Sequence, residues 1–200
     1  MVIVDYGVGN LYSLESSFAF IGEKVIISGD KEVIEKADKI ILPGVGAFGD
    51  AMAKLKASGL DKVLIERAKA GVPIMGICLG MQLLFEKSYE YGEHEGLGLI
   101  KGEIRPIDEV IPKDYKVPHI GWNALKIEKE SKLFKYIKEG DFVYFVHSFY
   151  GADCDSVSAT AEYGAPLTAS VEKDNVMGCQ FHPEKSGEVG LKILKAFCEM

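Results

Sequence analysis

The sequence predicts an α/β fold: a mixed, mostly parallel central sheet with helices on both faces and an added antiparallel portion in the second half. Its first half alternates short, continuously apolar runs with segments of helical period. Unbroken apolar runs belong to strands buried on both faces, hence to a parallel sheet between two helical layers. In the second half, strand-like runs separated by turns take over, and helical period returns only near the end.

Val2 to Val4 reads as the first strand, ending at Asp5 and Gly7. Leu11, Leu14, Phe18 and Ile21 follow at helical spacing and are closed by Gly22. Val25 to Ile27 is a second strand, and Lys39 to Leu42 a third, stopped by Pro43-Gly44. Ala51 and Leu55, then Leu60, Val63, Leu64 and Ala68, suggest helices. Val72 to Ile77 is a fourth strand, with a helical pattern from Leu79 to Glu86 directly behind it. Tyr89 to Gly98 is polar and glycine-rich, so an exposed loop is expected. Strands are then expected over Gly102 to Pro106, Ala124 to Ile127, Phe142 to Val146, Val157 to Glu162, Thr168 to Val171 and Val176 to Phe181, before a helix over Val189 to Phe197. No repeat or interdomain linker interrupts the chain, so residues 1–200 are read as one domain.

Composition excludes several classes. A net charge of −7 argues against a nucleic-acid partner held by general electrostatic attraction. No apolar run reaches the ~18 residues of a membrane span, and the first residues lack a basic signal-peptide start. None of the four cysteines forms a Cys-x-x-Cys pair, so no metal is expected, and a cytoplasmic protein with free thiols is the simplest account. Cys154, Cys179 and Cys198 read as structural.

Cys78 does not. It lies in Gly76-Ile77-Cys78-Leu79-Gly80, where a buried strand gives way at once to a helix. That is the pattern of a nucleophile elbow, in which small neighbours allow a sharp bend and close approach of substrate. The helix start behind the sulfur favours a thiolate. Far along the chain, Gln180-Phe181-His182-Pro183-Glu184 offers His182 as a base and Glu184, two positions on, as its orienting carboxylate. On an extended chain those two side chains point the same way. Cysteine, histidine and carboxylate together equip a thiol acyl-transfer enzyme. Pro43-Gly44-Val45-Gly46 lacks the following Lys-Ser/Thr of a phosphate loop, and suits an oxyanion turn whose Val45 amide would act beside that of Leu79. Asp5 to Asn10 lacks the third glycine of a dinucleotide fingerprint. Glu93-His94-Glu95 reads as solvated charge, and His119 and His147 as core or support residues.

Gly76 to Gln82 and His182-Pro183-Glu184 resemble the triad motifs of the class I, triad-type glutamine amidotransferases. Asp5 to Asn10, Pro43 to Gly49, Pro118 to Asn123, Phe145 to Tyr150 and Lys185-Ser186 look like those of the glutaminase subunits of imidazole glycerol phosphate synthase, so the resemblance spans the chain. It implies a class I amidotransferase-like fold and hydrolysis of glutamine to glutamate and ammonia, without a cofactor. Cys78 would form a glutamyl thioester, His182 would protonate leaving ammonia and then activate water, and Glu184 would hold His182. Gly44, Gln82 and the Ser148-Phe149 backbone would contact glutamine. The ammonia would pass to a separate cyclase subunit, a (β/α)8 barrel bound as a heterodimer through Asn10, Trp122 and Lys185, for histidine biosynthesis. A glutaminase serving another synthase, a stand-alone cysteine hydrolase and a binding subunit with an idle triad are the competing readings. Val45 is β-branched, which suggests a Gly44-Val45 peptide turned away from the oxyanion site at rest and turned inward when the cyclase is loaded.

Overall fold

The computed structural model describes residues 1–200. The chain runs through β1 (Val2–Val4), α1 (Leu11–Phe20), β2 (Ile26–Ser28), α2 (Lys31–Glu35), β3 (Ile40–Leu42), α3 (Phe48–Ser58), α4 (Leu60–Lys69), β4 (Ile74–Ile77) and α5 (Leu79–Leu83). There follow β5 (Phe85–Ser88), β6 (His94–Glu95), β7 (Ile100–Pro106), β8 (His119–Ala124), β9 (Lys126–Ile127), β10 (Phe142–His147), β11 (Phe149–Ala152), β12 (Val157–Glu162), β13 (Pro166–Lys173), β14 (Val176–Cys179) and α6 (Gly187–Cys198).

Eight strands form the main sheet in the order β2-β1-β3-β4-β14-β13-β12-β9. The strands from β2 to β14 are mutually parallel, and β13, β12 and β9 continue the sheet antiparallel. Its two faces follow from the period of a strand. Val2, Val4, Ile40, Leu42 and Ile74 meet one apolar layer with Leu55 of α3 and Leu64 of α4. Their alternates Ile3, Ile41, Met75 and Ile77 meet the other, with Phe18 of α1 and Phe197 of α6. Both sides of each strand are thus desolvated, which is why these runs are unbroken in apolar residues.

The second half departs from expectation in physical detail. The helix behind Cys78 ends at Leu83, and Phe85 to Ser88 instead form β5, parallel to β7 with Phe85 opposite Ile100. Over so few residues, helical and strand periods both fit the same apolar positions. Tyr89 to Gly98 is not wholly an exposed loop: β6 pairs with β5, and Glu90 and Leu97 are buried. β7 and β11 join β5 and β6 in a second sheet, β8 and β10 pair as a two-stranded ribbon, and only β14, β13, β12 and β9 extend the main sheet. The run expected over Ala124 to Ile127 divides at Leu125, ending β8 before it and beginning β9 after it. The five-residue α2 escapes detection by period, although Asp30 caps it by accepting the Glu32 N–H at 2.8 Å. No helix is long and apolar enough to cross a membrane.

Candidate active site

Adjacent parallel strands bring the distant motifs together. β4 and β14 pair with Ile77 opposite Cys179, and the Cys78 N–H donates to the Cys179 carbonyl at 2.8 Å. The chain therefore leaves both strands at the same, carboxyl edge of the sheet, where open parallel sheets place their chemistry. Cys78 turns there with φ 54 and ψ −113, a strained conformation for a side-chain-bearing residue, costing about 1–3 kcal/mol. Close packing explains the glycines around it. A Cβ at Gly80 would overlap the Leu42 carbonyl oxygen, and one at Gly44 would come within 2.8 Å of the Gly80 nitrogen and 3.0 Å of the Tyr6 hydroxyl. Tyr6 in turn donates to the Pro43 carbonyl at 2.7 Å, fastening the turn that faces the elbow. Burial, then the proximity of Cys78, raises the Tyr6 phenol well above its ordinary range, so it remains a donor.

His182 is held by its backbone. Its N–H donates to the Tyr144 carbonyl of β10 at 2.9 Å, and its carbonyl accepts from the Ser186 hydroxyl at 2.6 Å. Its Nδ1 meets Glu184 Oε1 at 2.8 Å, with both side chains almost completely buried. The pair forms because Pro183–Lys185 is a 3-10 turn, not because the chain stays extended as the sequence suggested. Burial alone would lower the imidazole's proton affinity. The neighbouring Cys78 and Glu184 outweigh that and push it up to about 10, so the imidazolium form prevails at neutral pH. Glu184 Oε2 is buried with no protein partner.

Cys78 and His182 line one cleft of about 320 Å³, with Leu79, Val45 and Gly46 on its wall. Gln82, Ser148 and Phe149 line it as well. Gly44 does not: it is buried behind the wall, against Leu79 and Gly80, because its turn packs onto the elbow. The backbone around Ser148 is partly committed. Its carbonyl accepts from Ile107 N–H at 3.0 Å, and that of Phe149 takes both Gln82 Nε2 at 3.2 Å and His147 Nδ1 at 2.8 Å. Gln82 also donates to Gln180 Oε1 at 2.9 Å, which leaves its own carbonyl oxygen unengaged.

Three residues of the cleft region were not singled out by sequence reasoning. Gln180 reaches Cys78 Sγ through Nε2 at 3.8 Å. Glu90 lines the cleft, and its Oε2 accepts the Phe48 N–H at the start of α3 at 2.6 Å. Burial raises its carboxyl, partly offset by that bond and by His94. His147, read as a core or support residue, reaches the cleft wall. The Gln180 role could be suspected from its place beside the triad segment; nothing local marks Glu90.

Asn10, Trp122 and Lys185 lie outside the cleft. Asn10 caps α1, accepting the Ser13 N–H at 3.4 Å. Trp122 is 54% exposed, and its ring and the Lys185 ammonium both pack on Tyr144. Cys179 is fully buried, and Cys154 and Cys198 are partly buried, all three with free thiols. No group of three or more His, Cys, Asp or Glu side chains converges as metal ligands would. A larger surface groove of about 770 Å³, between Phe134 and Met200, holds neither cysteine nor histidine, so size does not mark the chemistry.

The family model described as glutamine amidotransferase class-I matches residues 2–200. Among curated proteins, "Imidazole glycerol phosphate synthase subunit HisH" of Lactococcus lactis subsp. lactis is 54% identical over 202 residues, covering 100% of this chain and 98% of its own. The protein of the same name from Aquifex aeolicus is 49% identical over 199 residues, covering 98% and 94%. Among solved structures, one described as a glutamine amidotransferase superposes with a TM-score of 0.77 at 18% identity, covering 99% of this chain and 97% of that one. The PurLQS structure from Thermotoga maritima gives 0.75 at 22% identity, covering 99% and 96%. These two likenesses bear on the fold.

Proposed function

Because the chain belongs to the class-I glutamine amidotransferase family, we propose that it is the glutaminase subunit of an imidazole glycerol phosphate synthase, with Cys78, His182 and Glu184 as its catalytic triad. The observation that carries the triad is the convergence of Cys78, on a strained strand-to-helix turn, and His182, backed by buried Glu184, in one cleft. A cleft of this volume suits one small molecule.

The Cys78 sulfur attacks the glutamine carboxamide carbon while the shared proton sits on His182. The carbonyl oxygen becomes an oxyanion, for which the Val45 and Leu79 amides are the donors. His182 gives its proton to the amide nitrogen, the C–N bond breaks, and ammonia leaves a glutamyl thioester. His182, now neutral, takes a proton from water, which cleaves the thioester and restores the Cys78 sulfur. Water and glutamine are thus converted to glutamate and ammonia. The free oxygen of Gln82 and the Glu90 carboxylate, each bordering the cleft, suit the substrate's α-ammonium. Gly44 acts only by shaping the turn.

Ammonia released into water becomes ammonium, a poor nucleophile. We therefore read the exposed Trp122 and Lys185, with Asn10, as the docking side for a separate (β/α)8-barrel cyclase in a heterodimer. The resting Gly44-Val45 peptide turned away from the oxyanion site belongs to the same reading, as does a cytoplasmic home for four unpaired thiols. The test is glutamate release by the purified chain mixed with a cyclase subunit, with and without an analogue of the cyclase's substrate. Strong stimulation by the analogue is expected. Equal, substantial turnover under all conditions would retain the hydrolysis and discard the synthase assignment.

A further inference from the structure

His119 and His147 face each other across the β8–β10 ladder, both buried. Three contacts tie these rings to each other and to their neighbours. His147 Nδ1 lies 2.8 Å from the Phe149 carbonyl, His147 Nε2 lies 2.9 Å from His119 Nδ1, and His119 Nε2 lies 3.3 Å from Asn123 Nδ2. The Asn123 amide is oriented by its own neighbours: its oxygen accepts the Ala124 N–H at 2.8 Å, and its nitrogen donates to the Glu162 carbonyl at 2.9 Å.

Burial depresses both imidazoles, His119 to about 4 and His147 to about 3, so each ring is neutral and carries one proton. Only one arrangement then satisfies every contact. A carbonyl can only accept, so His147 carries its proton on Nδ1. Its Nε2 must accept, so His119 also carries its proton on Nδ1, and His119 Nε2 accepts from Asn123. The hydrogen bonds therefore run in one direction and end on the Phe149 carbonyl. That oxygen also receives Gln82, which holds Gln180, whose amide lies 3.8 Å from the Cys78 sulfur. The His119 ring is clamped between Phe145 and Tyr163, at centroid distances of 4.9 and 4.2 Å, so it cannot rotate away.

We propose that Asn123, His119 and His147 form a directed hydrogen-bond relay that positions the Phe149 carbonyl and, through Gln82 and Gln180, the cleft around Cys78. These are positioning residues for the glutaminase site, and the inference rests on that reading of the site. The device also has an outer side. Ile120 and Trp122, which alternate with the relay residues along β8, are 58% and 54% exposed. A protein seated on them would rest on the strand whose other face carries His119 and Asn123 of the relay.

Two measurements test the relay. Nitrogen-15 NMR of the chain alone reads the tautomers without any turnover, so it judges the relay even where the glutaminase reading fails. Both rings are expected as neutral Nδ1–H forms between pH 6 and 8. A His147 ring protonated on Nε2 instead would overturn the proposal. In the complex with the cyclase, His147→Phe is expected to lower glutamine kcat/KM by about 10- to 100-fold, chiefly through KM, while ammonia-driven synthesis is kept. His147→Asn, which puts an amide N–H near the place of Nδ1, is expected to recover most of the loss. If the two histidines only fill the core, both variants lower the melting temperature and leave KM and kcat for glutamine within twofold of wild type. That result would overturn the relay.

Discussion

Replacing Glu184 by Gln removes the charge from a buried pair and sets an amide NH2 at the buried, unpartnered position of Oε2. The carboxylate oxygen lies 2.8 Å from His182 Nδ1, and the two side chains are 2% and 4% exposed. The amide oxygen of Gln can still accept the Nδ1–H bond, so the ring keeps its orientation. Opposite charges about 4 Å apart interact by roughly 4 kcal/mol at an effective dielectric of about 20. At 1.36 kcal/mol per pH unit, that is up to about 3 pH units of proton affinity, which together with the contribution of Cys78 outweighs burial and raises His182 to about 10. The alkaline limb of the pH profile of glutamine kcat/KM, set by loss of the His182 proton, should move down by about 2–3 pH units. Turnover at the optimum should fall by about 10²-fold. Stability carries the same sign. A proton affinity raised on folding stabilises fully below the unfolded value of about 6.5, and the benefit is lost as pH rises through about 10. The wild type's advantage in melting temperature over the variant should therefore be full at and below about pH 6.5 and vanish as pH rises through about 10. The measurements are glutamate release by the cyclase complex from pH 5 to 11 and thermal denaturation over the same range. An unmoved alkaline limb alongside reduced turnover would refute the reasoning: Glu184 would then orient the ring without holding its proton.

Other perturbations separate the chemistry from the scaffold. Cys78→Ala should abolish glutamine hydrolysis while cyclase binding and ammonia-driven synthesis persist; loss of all three would make Cys78 structural. Gly80→Ala forces a Cβ onto the Leu42 carbonyl. It should cost at least about 3 kcal/mol, or about 6–12 °C in melting temperature by calorimetry, because backbone on both sides cannot give way. Trp122→Ala should weaken cyclase binding about 30-fold or more, as truncation of a central aromatic anchor does, with unchanged melting temperature. Lys185→Ala should act mainly on the association rate and its salt dependence. Titration of each variant with the cyclase checks both, and a Kd within twofold of wild type would move the interface elsewhere.

What the sequence disclosed was what local pattern can encode. β1, β3 and β4 are buried on both faces, so their residues must all be apolar, and a run such as Ile40-Ile41-Leu42 announces itself. The elbow at Cys78 is legible because its backbone demands small neighbours within two residues, and the His182–Glu184 pair because its members are two apart. β5 was hidden for the opposite reason: it has only four residues directly behind a helix, buried at Phe85 and Ser88 alone with no alternation between them, and its partner β7 begins twelve residues beyond it. The relay is a sharper case. His119 and His147 each sit in an ordinary strand, and sequence reasoning could only class them as support. Their contact arises from the register of β8 on β10, and the link onward to Cys78 spans Gln82 and Gln180, 98 residues apart. Hydrogen bonds at that separation leave no periodicity. Nucleophiles strain the chain where they stand and so mark the local sequence. The groups that hold a nucleophile in place are set by register, and become visible only once the strands are paired.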